Sequence, residues 1–248
     1  MDAEQQARNA ASFGAMAGVY DRARPSYPAD ALRWLLPPEA RDVVDLGAGT
    51  GKLTRELDAL DLRVTAVDPS WRMLEQLHER SPHIRTVVGS AERIPLPDAC
   101  ADALLVAQAW HWVDPSTAVP EVGRILGPGG RLGLVWNRRD ERVGWVAELG
   151  ALMDRAGGHN TPQASIADVG EPFGPFEELE VTWRHPTTAE GLVDLVASRS
   201  YVITATERER NRLLDEVREL IAQHPELCHG NGFDLPYVTL CLRANKRL

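Results

Sequence analysis

The chain has 248 residues, 44% apolar and 25% charged, the profile of a globular protein able to build a substantial core. Its net charge of −9 and pI near 5.3 speak against a general nucleic-acid binder, which needs clustered Lys and Arg to displace counterions from phosphates. Three cysteines, Cys100, Cys228 and Cys241, form neither a C-x-x-C pair nor a disulfide framework, so a reducing, cytoplasmic setting is expected.

The first stretch, MDAEQQARNAASFGAM, lacks the apolar segment of a signal peptide, and no apolar run is long enough to span a bilayer. Phe13, Met16, Ala17 and Tyr20 follow helical spacing, which predicts a short leading helix. The prolines of RARPSYP (22–28) break it. Residues 29–36 read as a second helix, closed by Pro37-Pro38.

From residue 41 short apolar runs alternate with helical segments. The runs are DVVDL (42–46), LRVTAVD (62–68), HIRTVV (83–88), DALLVA (102–107) and RLGLVW (131–136). Helices are expected near 52–60, 70–80 and 115–126, the third with Asp114 as cap, Pro115 in the first turn and Gly127-Pro128 beyond its end. This alternation predicts an α/β fold with right-handed crossovers and a mostly parallel sheet. ELEVTWR (178–184) and YVTLCLRA (237–244) add two strands, making seven, and the last suits an antiparallel partner. Thr187 with Glu190, and Thr206 with Glu209, are candidate capping boxes. The second opens a helix with Leu213, Leu214, Val217, Leu220 and Ile221 on one face. No linker divides the chain, so a single domain, 1–248, is expected.

The segment VVDLGAGTGKLT (43–54) carries glycines at alternate positions before a lysine. A phosphate loop needs Gly where Leu46 stands and Ser or Thr where Leu53 stands. The dinucleotide pattern G-x-G-x-x-G fits Gly47 and Gly49 but puts Lys52 where a third Gly packs helix on strand. The remaining reading is an S-adenosylmethionine (SAM) site: Asp45 at a strand end, then Gly47, Gly49 and Gly51 exposing backbone amides to a ligand. Asp68, 17 residues beyond Gly51 at the end of the second strand, can accept both ribose hydroxyl protons, or can simply cap the helix after Pro69-Ser70.

With VTAVDPSWRML, VVGSAERIPLPDACADALLVAQAWHWVD and RILGPGGRLGLVWN following in order, the chain resembles the class I SAM-dependent methyltransferases of the type 11 kind over about residues 13–137. FGAMAGVYDRARPSYP is also typical of them, and QAWHW resembles the segment after the fourth strand in trans-aconitate-methyltransferase-like members. The resemblance implies a Rossmann-like, seven-stranded, mostly parallel sheet with the last strand antiparallel and helices on both faces. It implies a helical N-terminal cap (1–36), a SAM-binding core (37–137) and a substrate-side region of helices and strands (138–248). By the same resemblance Asp45, Gly47, Gly49 and Gly51 line the methionine and ribose of SAM, and Asp68 binds the ribose. Met73 lies against adenine, Ala91 and Glu92 reach its edge, and Gln108 faces the methionine end. Tyr20 and Arg24 close over the cofactor, Arg24 pairing with its carboxylate or remaining a solvated surface group.

Trp110-His111-Trp112 follows the fourth strand, where open α/β sheets bind ligands. The tryptophans can wall off water and face a sulfonium, or be core. His111 is a candidate general base for a hydroxyl or amine, or merely a hydrogen-bonding partner of the backbone. Trp136 and Asn137 end the fifth strand on the same edge, and Arg138, Arg139, Arg199 and Tyr201 are candidate anchors for an acidic substrate. A run of arginines is also what a solvated face carries. No H-x-x-x-H pair or Cys/His cluster offers a metal site, and methyl transfer needs no metal. The expected function is methyl transfer from SAM to a small-molecule acceptor, at a carboxylate or hydroxyl oxygen. Rival readings are a protein or RNA methyltransferase and a SAM-binding regulator without catalysis. No nucleic-acid or membrane partner is expected.

Overall fold

The computed structural model describes residues 24–158, 169–228 and 232–247. The helix expected over 13–20, with Tyr20, lies outside them. Strands form where the apolar runs were read: β1 Asp42–Leu46, β2 Arg63–Asp68, β3 Arg85–Val88, β4 Ala101–Ala107, β5 Leu126–Arg139, β6 Glu177–Thr187 and β7 Phe233–Asn245. Helices are α1 Ala29–Leu35, α2 Lys52–Asp58, α3 Trp71–Arg80, α4 Pro115–Ile125, α5 Gly144–Arg155, α6 Ala189–Ala197, α7 Ser200–Ile203 and α8 Glu207–Gln223. A 3-10 turn holds Trp110–Trp112.

The strands pair in the order β3-β2-β1-β4-β5-β7-β6. β1 through β5 run parallel, with Val44 opposite both Thr65 and Leu104. β7 runs against β5: Lys246 N donates to Gly130 O at 2.8 Å, while Asp140 N, far along β5, donates to Pro236 O at 3.0 Å, near the start of β7. β5 is longer than RLGLVW suggested. Its ladder begins at Leu126, opposite Ala101, and slips before resuming at Arg131 opposite Ala103, so a bulge absorbs the intervening Gly and Pro residues.

The described residues group into two compact units: a larger one within Ser26–Asn137, Pro162–Val181 and Thr239–Leu248, and a smaller one within Met1–Pro25, Arg138–Thr161 and Thr182–Val238. In the larger unit consecutive strand residues enter different cores, as a pleated strand requires. Val44, Val67, Leu104 and Leu134 pack with Val119, Val122 and Ile125 of α4. Val43, Ala66, Leu105 and Val135 pack with Leu32 and Leu35 of α1, Leu57 of α2 and Leu77 of α3. Helices therefore cover both faces of the parallel strands. In the smaller unit Trp145, Leu149 and Met153 of α5, Leu192 and Val196 of α6 and Leu213, Val217 and Ile221 of α8 close on Leu235 and Tyr237 of β7. No helix among the described residues is long and apolar enough to cross a membrane.

Caps follow the sequence closely, with one shift. Asp114 Oδ1 accepts from Ser116 N at 3.0 Å, and Pro115 opens α4. Thr206 and Glu209 form a reciprocal box at the start of α8, with Glu209 N donating to Thr206 Oγ1 at 3.3 Å and Thr206 N to Glu209 Oε2 at 3.0 Å. The expected Thr187–Glu190 box is corrected: Thr187 is still the last residue of β6, so Thr188 is the first free to cap α6, accepting from Gly191 N at 3.0 Å. Thr206→Ala removes an exposed cap without touching the core. It should lower the unfolding free energy by about 1 kcal/mol, read as a lower urea midpoint with unchanged denaturant slope.

Candidate active site

β1 ends in Asp45 and Leu46, and the chain bends through Gly47, Gly49 and Gly51, with φ of 76°, 55° and 84°. These left-handed values strain any residue with a Cβ. Beyond that the glycines differ. A Cβ on Gly51 would stand 2.5 Å from Leu77 Cγ, so this glycine lets α2 start against α3. A Cβ on Gly49 would meet nothing within 4 Å. Gly49 is therefore the position where bare backbone faces open space.

The bend is fastened from β2. Asp68 Oδ2 accepts from Gly49 N at 2.9 Å, and Asp68 Oδ1 accepts from Ser70 N at 2.8 Å. Both readings of Asp68 thus meet in one carboxylate: it caps the turn before α3 and it grips the glycine bend. A carboxylate has roughly four lone-pair sites, so two remain for a ligand's hydroxyls. Burial raises its pKa, and the Ser70 and Gly49 amides oppose that shift. Beneath it Asp45 is fully buried, its Oδ2 accepting from Thr54 Oγ1 at 2.5 Å. Burial first, and the nearby Asp68 charge, push the Asp45 pKa up to about 7, against the Thr54 hydrogen bond. Asp45 Oδ1 is buried with no hydrogen-bond partner.

An acceptor without a donor at the end of β1, and a bare backbone face at Gly49, suit a ligand that brings both hydroxyl donors and a positive charge. An adenosyl sulfonium has that chemistry, whereas a nucleotide's phosphates would face two carboxylates. The residues present therefore fit SAM. Thr54, one turn into α2, escaped the sequence reading, because a Thr inside a helix carries no signal of its buried partner.

Met73, Ala91, Glu92 and Gln108 lie in the same larger unit. Ala91 is buried, Met73 is half-buried, and Glu92 is exposed, its Oε1 accepting from Asp114 N at 3.4 Å. Gln108 adopts a left-handed φ of 58°, unusual for a residue with a side chain, held by its N–H to Val135 O at 2.9 Å and its Nε2 to Asn137 O at 3.3 Å. Past it the two tryptophans part. Trp110 is 5% exposed and joins the core with α4, whereas Trp112 is 54% exposed with its ring 4.7 Å from that of His111. His111 reaches solvent, yet partial burial lowers its pKa, so its imidazole is neutral near pH 7. Trp136 is buried in the core, and Asn137 is tied at both ends of its amide, Nδ2 to Ser26 O at 2.8 Å and Oδ1 from Thr239 Oγ1 at 2.6 Å. Arg24, Arg138, Arg139, Arg199 and Tyr201 belong to the smaller unit. Among the described residues no group of His, Cys, Asp or Glu is arranged to hold a metal ion.

Comparison with known proteins meets this geometry. The family model for a methyltransferase domain matches residues 44–134, the stretch from β1 into β5. An uncharacterized methyltransferase of Mycobacterium tuberculosis is 54% identical over 94% of this chain and 95% of its own. A methyltransferase-like protein of Schizosaccharomyces pombe is 31% identical over 92% of each. The chain belongs to the methyltransferase family. A solved structure of a type II methyltransferase from Anaeromyxobacter dehalogenans, 26% identical, covers 90% of this chain and 97% of its own with a TM-score of 0.67. The protein is thus a SAM-dependent methyltransferase with the Rossmann-like class I fold.

Two predictions separate packing from ligand contact in this methyltransferase. Gly51→Ala should destabilise through both its φ, roughly 1–2 kcal/mol, and the clash with Leu77, about 1–3 kcal/mol more. Gly49→Ala should carry only the first cost yet weaken S-adenosylhomocysteine binding at least about tenfold by calorimetric titration, since its Cβ fills the open face. The second concerns pH. Asp45 binds a proton in the folded state up to about pH 7, while the unfolded carboxyl has lost it above its ordinary value of 3.8. The folded state therefore holds more protons across that window, and stability falls as pH rises through it. In thermal melts from pH 5 to 8 Asp45→Asn, which still accepts from Thr54, should flatten that decline and be the more stable protein at pH 8.

Proposed function

We propose that this methyltransferase holds SAM in the bend between Leu46 and Lys52 and methylates an oxygen, carboxylate or hydroxyl, of a small molecule. The observation that carries the reading is the open face of Gly49, clamped by Asp68, together with the unsatisfied oxygen of Asp45 at the end of β1. Asp68 and the Gly49 region orient the adenosyl end, and the unpartnered oxygen of Asp45 serves the methionine end. Met73, Ala91 and Glu92 serve the adenine side, and Gln108 the methionine side. When bound, SAM supplies a methyl on a sulfonium sulfur, which leaves as a neutral thioether once the acceptor's lone pair takes the methyl carbon. The protein's own contribution is alignment and exclusion of water, worth roughly 7–11 kcal/mol when two partners are held in reacting geometry.

Neutral His111, one residue from exposed Trp112, has the protonation state to take a hydroxyl proton during transfer. A carboxylate acceptor is already ionised and needs no base. The net charge of −9 favours a small molecule over RNA or a phosphate-rich surface.

The test uses labelled methyl SAM with metabolite and macromolecular fractions of a cell extract. Label in the small-molecule fraction is expected. Label released by mild base marks a methyl ester and hence a carboxylate acceptor, and base-stable label marks a hydroxyl. For a hydroxyl acceptor His111→Ala should lower kcat by roughly 10²–10⁴, with the wild type losing activity as pH falls below the ordinary histidine range. For a carboxylate acceptor the same change should leave kcat nearly intact. Label confined to protein or RNA, or no transfer at all with SAM bound, would reject the proposal.

A further inference from the structure

The smaller unit gathers positive charge where burial should forbid it. Arg139, at the end of β5, is 6% exposed, and its Nη2 lies 3.3 Å from Glu141 Oε1. Arg24 Nη2 donates to Ser198 O at 3.3 Å, which sets it beside Arg199 at the start of α7. The three guanidinium groups are close enough to act on one another: burial first, then the charges of Arg24 and Arg139, hold Arg199 well below the usual arginine range. A guanidinium does not escape by losing its proton, so the cost of burying Arg199 near two others stays in the fold, and a further anion would lower it.

Two phenols share the site. Tyr237 of β7 is 1% exposed and stacks on Trp183 with ring centroids 5.4 Å apart. Tyr201 of α7 is held where Gly158 gives it room, since a Cβ there would stand 2.5 Å from the Tyr201 hydroxyl. Both phenols feel Arg199 and Arg139, and burial raises their pKa, so they stay neutral donors, with Asp154 adding to that shift at Tyr201. The Tyr201 and Tyr237 hydroxyls and Arg199 Nε are buried without a hydrogen-bond partner. Native proteins rarely leave three such groups unsatisfied in one place. All three can donate, and none has found an acceptor.

We propose that Arg199, flanked by Arg24 and Arg139 and joined by the Tyr201 and Tyr237 hydroxyls, is the pocket that recognises a carboxylate of the methyl acceptor. The inference rests on the small-molecule reading above and names its class. Planar carboxylate oxygens match the guanidinium edge and accept from both phenols. A carboxylate so engaged has its lone pairs drawn into hydrogen bonds and makes a poor nucleophile. The acceptor is therefore a polycarboxylate or hydroxy acid, anchored here by one group and methylated at another.

The test is titration of citrate, as a generic polycarboxylate, into the ligand-free protein at low salt, with S-adenosylhomocysteine titrated in parallel. Wild-type protein should bind citrate, more tightly than sulfate, and gain thermal stability from it. Tyr237→Phe, which keeps the stack on Trp183, should weaken citrate about tenfold, and Arg199→Gln more, with S-adenosylhomocysteine affinity unchanged in both. Arg199→Gln should also melt higher than wild type without citrate, because it removes a buried like charge. Absence of citrate binding, sulfate bound as tightly, or variants that bind citrate like wild type would overturn the proposal. So would parallel loss of S-adenosylhomocysteine affinity, which would assign the pocket to the donor's own carboxylate. Wild-type protein that binds citrate but not S-adenosylhomocysteine would sink the cofactor assignment and leave the carboxylate pocket standing.

Discussion

One carboxylate joins the cofactor side of this methyltransferase together. Asp68 ends β2 and reaches across to Gly49 beyond the end of β1, while its other oxygen starts the turn into α3. Parallel strands place their carboxyl ends side by side, and the loops that leave them must be tied to one another to hold a shape. Hydrogen bonds to a charged acceptor are roughly twice as strong as neutral ones, which suits a clamp on a strained, left-handed bend. Burying that charge is unfavourable, and the two amides offset part of the penalty. What they leave unsatisfied, together with the lone oxygen of Asp45, is the free energy a cationic, hydroxyl-bearing ligand can collect.

The same logic, with the signs reversed, operates in the smaller unit. At the end of β1 one buried acceptor, Asp45 Oδ1, lacks a donor; around Arg199 buried donors lack acceptors.

Much of this was legible in the sequence because it depends on local rules. Strand-helix alternation, the DVVDL run and the Asp114 and Thr206 caps act through neighbours a few residues away. The glycine spacing also read correctly as a bend, since a left-handed φ is a demand that one residue must meet alone. Other features were not legible. Helix α5 begins at Gly144 without a capping side chain, so nothing announced it, and it forms by burying Trp145, Leu149 and Met153 against α6 and α8. The extension of β5 back to Leu126 needed β4 as a template. WHW read as an aromatic wall or as core, and the 3-10 turn divides it, sending Trp110 into the core and leaving Trp112 exposed.

By itself the sequence determined the α/β class, the order of most elements and the glycine bend after the first strand, because each follows from periodicity, turn chemistry and residue type over short spans. Only the tertiary structure decided which glycine serves packing and which faces open space. It alone revealed Thr54 beneath Asp45. It also drew Arg24, Arg139, Arg199, Tyr201 and Tyr237, scattered over more than two hundred positions, into one cluster. The physical reason is that burial and like-charge repulsion depend on distance in space, which the spacing of residues along a chain does not encode.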